Sequence, residues 1–285
     1  VITVAIPTYN RGAIVVETVR RLFALTPPPD AIVVVDQSAA LNEQLARWNE
    51  ERRIQLIRLD APSIPHAMNV ALQAASTPLV LYLDDDVEPS PHLIEAHETA
   101  HREHGASAVV GQILQPGEEP AHVDQPADDL EFRFHSDTGR AVANVMAGNL
   151  SVDRDNALAI GGFDENFVGA AYRFETDFAL RLAAASGTIW FEPRATLRHL
   201  KLSSGGLRSF GDHRSSPSPA HSAGDYYFAI HHRPPLARYA LRRMKQNIIT
   251  RYHLAHPWTI PTKFIGEIRG LMLARRLARN GRRLL

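Results

Sequence analysis

The chain has no cysteine. That removes disulfides, thiolate metal sites and cysteine nucleophiles, and it leaves the redox compartment unread. Long apolar runs are missing too. No stretch approaches the ~20 apolar residues that span a bilayer, and the opening run Val1–Pro7 shows no basic leader or cleavage site. The expectation is a soluble or surface-bound protein. Acidic residues are scarce at one end: from His231 to Leu285 there are thirteen Lys or Arg and a single carboxylate, Glu267, although the whole chain carries 31 residues of each sign. The preceding part is therefore net acidic, and the two ends face different partners. No internal repeat is present.

What is there suffices for folding. With 285 residues and 45% hydrophobic content, the chain can bury one large core, with or without a smaller C-terminal extension. Short β-branched runs at Val1–Ile6, Ala31–Val35, Ile54–Leu59, Leu79–Leu83 and Ala108–Leu114 read as strands, with helical patterns between them. Nearly continuous apolar runs suit strands buried on both faces. Alternation with helices implies crossovers in a mostly parallel central sheet, an open α/β sandwich. Gln115–Arg140, rich in Pro, Asp and Glu, reads as a surface excursion. Ala143–Val152 reads as a strand, Phe174–Ser186 as a helix and Thr188–Glu192 as a closing strand. Ser203–Gly224 looks mobile, and Tyr226–Leu285 is helical and basic.

In such sheets ligands sit outside the carboxyl ends of the strands, so the residues after each run carry the functional argument. After the first come Pro7-Thr8-Tyr9-Asn10-Arg11, a hydroxyl, a ring and an amide where a nucleobase can stack and hydrogen-bond. The second ends at Asp36, whose carboxylate suits either a base-edge N–H or the cap of the next helix. The fourth runs into Asp84-Asp85-Asp86, three carboxylates directly after a buried run. Clustered like charges raise one another's pKa, and a hard divalent cation would relieve the repulsion while also binding the diphosphate of a nucleotide.

Ile6-Pro7-Thr8-Tyr9-Asn10-Arg11, Asp36 and Leu83-Asp84-Asp85-Asp86 together resemble the family 2 glycosyltransferases, which have the GT-A fold. Later segments agree in order: Gly148-Asn149, Gly161-Gly162-Phe163-Asp164-Glu165, and Phe174-Glu175-Thr176-Asp177-Phe178 through Arg181-Leu182. The resemblance covers about residues 1–200. It implies a GT-A domain over 1–202, with a nucleotide-sugar half at about 1–114 and an acceptor-side half at about 141–202. A mobile loop at 203–225 and a basic helical region at 226–285 would follow.

The resemblance also implies an inverting, metal-dependent transfer of a sugar from a nucleoside-diphosphate donor (UDP, dTDP or GDP) to an acceptor hydroxyl. Pro7, Thr8, Tyr9, Asn10, Arg11 and Asp36 would serve the nucleotide, and Asp84 and Asp85 the ribose and neighbouring groups. Asp86 and His199 would hold Mn²⁺ or Mg²⁺, and Gly148, Asn149 and Phe174 would face the acceptor. Two departures stand out. Members commonly show Glu-Asp-x-Asp-Leu at the acidic helix with its first Asp as general base, and here Glu175 takes that place, with Asp177 the fallback. Where members usually carry an Arg that contacts the donor, the segment Ile64–Asn69 offers His66, with Asn69 matching.

Two other readings compete with this one. A non-catalytic nucleotide-sugar-binding module fits a degenerate base position. A sugar nucleotidyltransferase would need a Gly-rich basic loop, where this chain has one glycine and one arginine in Pro7–Gly12. In the basic tail, Arg and Lys interleave with Leu, Ile, Met, Trp258 and Phe264. That pattern suits helices lying on an anionic membrane surface or packed on the core. No nucleic-acid module is recognised. The acceptor is a glycan, a lipid-linked glycan or a small molecule. The expected setting is bacterial surface glycan synthesis, cytoplasmic or peripheral on the inner face of the plasma membrane.

Overall fold

The structure is a computed structural model and describes residues 1–126, 129–202, 205–206, 212–233 and 235–285. Strands β1 (Ile2–Thr8), β2 (Ala31–Asp36), β3 (Gln55–Arg58) and β4 (Leu79–Leu83) form from the apolar runs. Helices α1 (Ala13–Phe23), α2 (Glu43–Glu50) and α3 (Ile64–Ala74) make the crossovers. Asn42 and Ser63 start α2 and α3 by accepting first-turn backbone N–H groups with their side chains. The order β3-β2-β1-β4 is parallel throughout. It aligns the ends of β1, β2 and β4 at one edge.

The second half comprises β5 (Val87–Pro89), α4 (Leu93–His104), β6 (Ala108–Leu114), β7 (Arg140–Ala141), β8 (Asn149–Asp153), α5 (Arg154–Ala159), α6 (Phe174–Ser186) and β9 (Ile189–His199). The full order is β3-β2-β1-β4-β8-β6-β9-β5, with β7 on β9. β8 lies antiparallel between β4 and β6, whereas β9 runs parallel to β6 and antiparallel to β5. The first half is thus parallel, as its helix crossovers require. The second half is mixed because the chain returns from β6 to β8 without a crossover helix.

The excursion 115–140 is more than a solvated loop. Phe132 and Phe134 are buried against Phe191 of β9, with ring centroids 5.1 and 6.4 Å away. Its residues 127–128 lie outside the described residues. Of the segment 203–225 read as a mobile loop, residues 203–204 and 207–211 lie outside the described residues, and its last part folds into a 3-10 turn and the start of a helix. Beyond, Pro219–His221 form a 3-10 turn, followed by α7 (Ala223–His232), α8 (Leu236–Ile248), α9 (Arg251–Ala255) and α10 (Ile260–Arg279). Tyr226, Tyr227 and Phe228 of α7 belong to the same buried core as the sheet. Among the described residues, no helix is long and apolar enough to cross a membrane.

One buried group gives the fold a pH signature. His97 of α4 is held between Ser151 Oγ and Asn149 Oδ1, each 2.8 Å away. Burial pushes its pKa down from 6.5 to about 4. Below pH 6.5 the unfolded chain takes up a proton that the fold refuses, so this contribution to stability is lost as pH falls towards 4. Between pH 7 and pH 5 the loss is about 2 kcal/mol. Burial pushes Asp85 up to about 7, which acts in the opposite sense. The check is therefore a difference: the unfolding free energy of the wild type minus that of His97→Gln should fall by that amount. A pH-independent difference would contradict a buried neutral imidazole.

Candidate active site

A cavity of about 610 Å³ opens where β1 and β4 end. Pro7, Thr8 and Tyr9 line it from β1, and Asp84, Asp85 and Asp86 from the turn after β4. Both follow from the parallel register, in which the end of each strand delivers its loop to the same edge.

The three carboxylates take three different roles. Asp85 is almost fully buried. Its Oδ2 accepts the Thr8 hydroxyl at 2.7 Å, and its Oδ1 lies 3.1 Å from Arg11 Nε. Burial outweighs both partners and raises its pKa. This places Asp85 and Arg11 as a floor that ties the β1 loop to the β4 turn. Asp84 is the exposed member, and Gly148 is what lets it stand there, since a Cβ at 148 would come within 2.5 Å of Asp84 Oδ2. Asp86 Oδ1 is 3.0 Å from His199 Nε2, and its Oδ2 accepts the Leu202 N–H at 3.1 Å. Burial works against ionisation of Asp86, but the His199 contact and the Leu202 N–H hold it below the usual carboxylate range. The same Asp86 bond raises the pKa of His199 against burial.

His199 reaches this spot because β9 pairs with β5 in the register Val87↔His199. Its Nδ1 lies 3.1 Å from Gln115 Oε1, a bond that orients the ring with Nε2 towards the carboxylates. Gln115 also lines the cavity, and sequence reasoning missed it. The signal was available, because Gln115 directly follows the β6 run and so stands at a carboxyl end. Lys201 at the same rim was missed as well. It supplies a cation beside the acidic cluster, where the segment 64–69 supplies none.

The start of α6 also lines the cavity, through Phe174 and Glu175. Glu175 Oε1 accepts the Ala147 N–H at 2.7 Å, which fixes the carboxylate against the loop before β8. The turn into α6 carries two non-glycine residues in the left-handed region, Ala171 and Arg173, at φ 53° and 72°. Such strain persists only where packing over-determines it. Here the α7 backbone at Gly224 presses on Tyr172, and a Cβ at 224 would sit 2.4 Å from the Tyr172 carbonyl oxygen.

Several expected residues are not brought to the cavity. Asp177 is fully buried, and its carboxylate is shared by Arg181 (2.8 Å), His232 (2.7 Å) and Arg282 (2.7 Å). Burial opposes ionisation of Asp177, but the His232 bond and these cations hold its pKa far below the ordinary range. It braces the helix and is not placed to accept an acceptor proton. Asn69 is buried and brackets Phe163, donating to its carbonyl and accepting its N–H at 2.8 Å each. Gly162 permits this, since a Cβ there would lie 2.4 Å from Asn69 Oδ1. His66 contacts Glu165 at 2.9 Å. Both side chains thus anchor the Gly161–Glu165 loop. Asn149 is buried in the sheet, donating to Gln112 and Ala195 carbonyls. Asn10 sits in the left-handed region, its N–H bonded to Ser38 Oγ. Asp36 lies off the cavity lining, paired with Arg58 at 2.7 Å and accepting the Ser38 N–H.

Asp84, Asp86 and His199 are the side chains suited to a hard divalent cation. His199 Nε2 lies 3.7 Å from Asp84 Oδ2 and 3.0 Å from Asp86 Oδ1. Among the described residues, no group of three or more His, Asp or Glu forms a ready cation cage. Two carboxylates and an imidazole nonetheless fit Mn²⁺ or Mg²⁺ as a partial donor set, one that ligand oxygens would complete.

The sequence model described as Glycosyl transferase family 2 matches residues 3–175. No protein of curated function matches by sequence. Among solved structures, the mannosyltransferase PcManGT from Pyrobaculum calidifontis, in complex with GDP-Man and Mn²⁺, superposes with a TM-score of 0.57 at 19% identity. The match covers 98% of this chain and 79% of that one. GalNAc-T7 with UDP, GalNAc and Mn²⁺ gives 0.59 at 12% identity over 82% of this chain and 51% of that one. S. aureus TarS gives 0.52 at 15% identity over 70% of this chain and 36% of that one. The chain thus spans about a third to a half of the TarS and GalNAc-T7 chains. At these identities the likeness is one of fold, a GT-A glycosyltransferase fold.

Proposed function

The chain belongs to glycosyl transferase family 2, and from that membership we propose that it is an inverting glycosyltransferase using a nucleoside-diphosphate sugar. The observation that carries the proposal is the 610 Å³ cavity that Asp84, Asp86, His199 and Glu175 line together. Leaving-group stabilisation and nucleophile deprotonation are separate tasks, and they need a cationic side and a basic side. A divalent cation held by Asp86, His199 and Asp84 would supply positive charge against the diphosphate.

The remaining steps fall to the chain's own groups. Thr8 and Tyr9 bound the nucleotide end, with Arg11 and Lys201 also lining the cavity. Glu175, held by the Ala147 N–H, takes the proton of the acceptor hydroxyl. That oxygen bonds to the anomeric carbon as the bond from carbon to the diphosphate oxygen breaks, so the configuration inverts. The buried aromatic Phe174 backs the acceptor side.

A non-catalytic binding module needs a site without a base, and Glu175 on the cavity wall weighs against it. The donor's nucleotide remains one of UDP, dTDP or GDP. The acceptor is a glycan, lipid-linked or small-molecule hydroxyl, and the setting is surface-glycan synthesis at the inner face of the plasma membrane. The test is a donor panel with Mn²⁺. One sugar nucleotide should release its nucleoside diphosphate and give a product of inverted anomeric configuration by NMR. Pyrophosphate release, or a retained configuration, would overturn the proposal.

A further inference from the structure

Helix α10 has one buried face and one exposed face, with different fates. Gly266, Glu267, Gly270 and Ala274 are buried against the segment leading into α7. The glycines allow close approach: a Cβ at 266 would meet the Ser216 carbonyl at 2.7 Å, and one at 270 the Ser222 side chain at 2.0 Å. Glu267, the lone carboxylate of residues 231–285, is consumed inside. Arg243 lies 3.1 Å from it, Lys263 3.0 Å, and the Tyr226 hydroxyl donates to it at 2.8 Å. The outer surface of the C-terminal helices therefore carries cations and no carboxylate.

That outer surface is also unusually apolar. Between Ile2 and Pro235, the exposed large hydrophobics among the described residues are Leu41 and Leu202. Within the next 37 residues there are seven, among them Leu241 at 73%, Leu254 at 69%, Trp258 at 70% and Met272 at 65% exposure. On α10, Ile265, Arg269, Met272, Arg276 and Arg279 are exposed and recur at spacings of four and three, which places them on one stripe. On α8, Arg238, Leu241, Arg242 and Lys245 are exposed, and Ile249 just after the helix is exposed as well. Singly exposed hydrophobics mean nothing, but this many on anchored helices, interleaved with arginine, mark an interaction surface.

We propose that this outer surface of α8, α9 and α10 docks on an anionic lipid bilayer, with Leu254, Trp258, Phe264 and Met272 entering the interface and the surrounding arginines meeting lipid phosphates. Charge complementarity selects the occupant. A second copy of the chain would oppose cation to cation across a two-fold interface. Nucleic acid would satisfy the arginines but leave the aliphatic side chains against a polar backbone. Anionic lipid serves both, since arginine stems cover apolar surface while their heads reach phosphate. The inference deepens the proposed location at the membrane and rests on it. Residues 281–285 fold back on the catalytic unit, Arg283 N–H bonding Asp164 and Leu285 N–H bonding the Gly161 carbonyl, so they are not part of the docking surface.

The experiment mixes the full chain with vesicles of phosphatidylcholine alone, or with 30% phosphatidylglycerol, and reads co-sedimentation and tryptophan emission. Trp48 is buried and Trp190 half-buried, so an environmental change on binding reports on Trp258. Binding to the anionic vesicles is expected with a blue shift, and at least about tenfold weaker binding to the neutral ones. Phe264→Ser with Met272→Ser, and separately Arg276→Glu with Arg279→Glu, should each weaken anionic binding about tenfold or more at an unchanged melting temperature. Equal binding to both vesicles, no blue shift, or unaltered binding by both variants would overturn the proposal. So would concentration-dependent dimerisation or duplex-DNA binding that the same variants abolish while vesicles stay unbound. Nucleotide titration of the same samples keeps this result separate from the donor-site reading, which vesicle binding does not test.

Discussion

Glu175→Gln should lower kcat by about 10²–10⁴-fold, the usual range for loss of a general base, with nucleotide affinity unchanged. Glutamine keeps the length and can still accept the Ala147 N–H at its amide oxygen, so the helix start should keep its place. What it loses is the capacity to take a proton. An Asp177→Asn variant separates this prediction from the alternative base. Asp177 is buried under Arg181, His232 and Arg282, so its loss should lower the melting temperature before it alters any pH–rate profile. If Glu175→Gln kept full turnover in a folded protein, the assignment of the base would be wrong.

The second large effect belongs to Asp86. Its carboxylate is bonded to His199 and the Leu202 N–H and lies 3.4 Å from Arg11. It therefore joins the β4 turn, the end of β9 and the rim of the cavity. Asp86→Ala should remove Mn²⁺-dependent nucleotide binding almost completely, a loss of at least about 100-fold, because a hard cation loses its innermost charged ligand. Asp84→Ala should cost less, about tenfold, since Asp84 is exposed and reaches His199 only at 3.7 Å. Asp85→Ala is expected to act differently, through the fold. It removes the buried carboxylate that accepts the Thr8 hydroxyl and lies 3.1 Å from Arg11.

Much of this arrangement was legible from sequence for a local reason. A strand buried on both faces must be apolar, and its last residue must hand over to a polar loop at the ligand edge. So β4 was readable to the residue, as was α6 at Phe174–Ser186. Strand β9 runs to His199, past the expected end at Glu192, because it passes a register shift opposite Gly111/Gln112 and then alternates towards solvent, a pattern that looks polar. Ala143–Gly148 was expected as strand. Only its last residues, Met146, Ala147 and Gly148, line the cavity, and β8 starts at Asn149.

The illegible part is what depends on partners distant in sequence. Asn69 matched a motif and His66 stood nearest to its missing Arg, yet their partners lie about a hundred residues away on the Gly161–Glu165 loop. Arg58 claims Asp36 from the neighbouring strand end. Arg282 reaches Asp164 and Asp177 from beyond α10. No local period announces such pairs, so sequence reading assigns these side chains to ligand when the fold uses them as braces.

The most direct test of the central claim is calorimetric titration of the purified protein with UDP, dTDP and GDP, each with and without Mn²⁺, and with Asp86→Ala alongside. The account predicts that one nucleotide binds, that binding needs Mn²⁺, and that Asp86→Ala abolishes it without unfolding the protein. Absence of metal-dependent binding for all three, or binding that Asp86→Ala leaves intact, would contradict a nucleotide-sugar site at the end of β4.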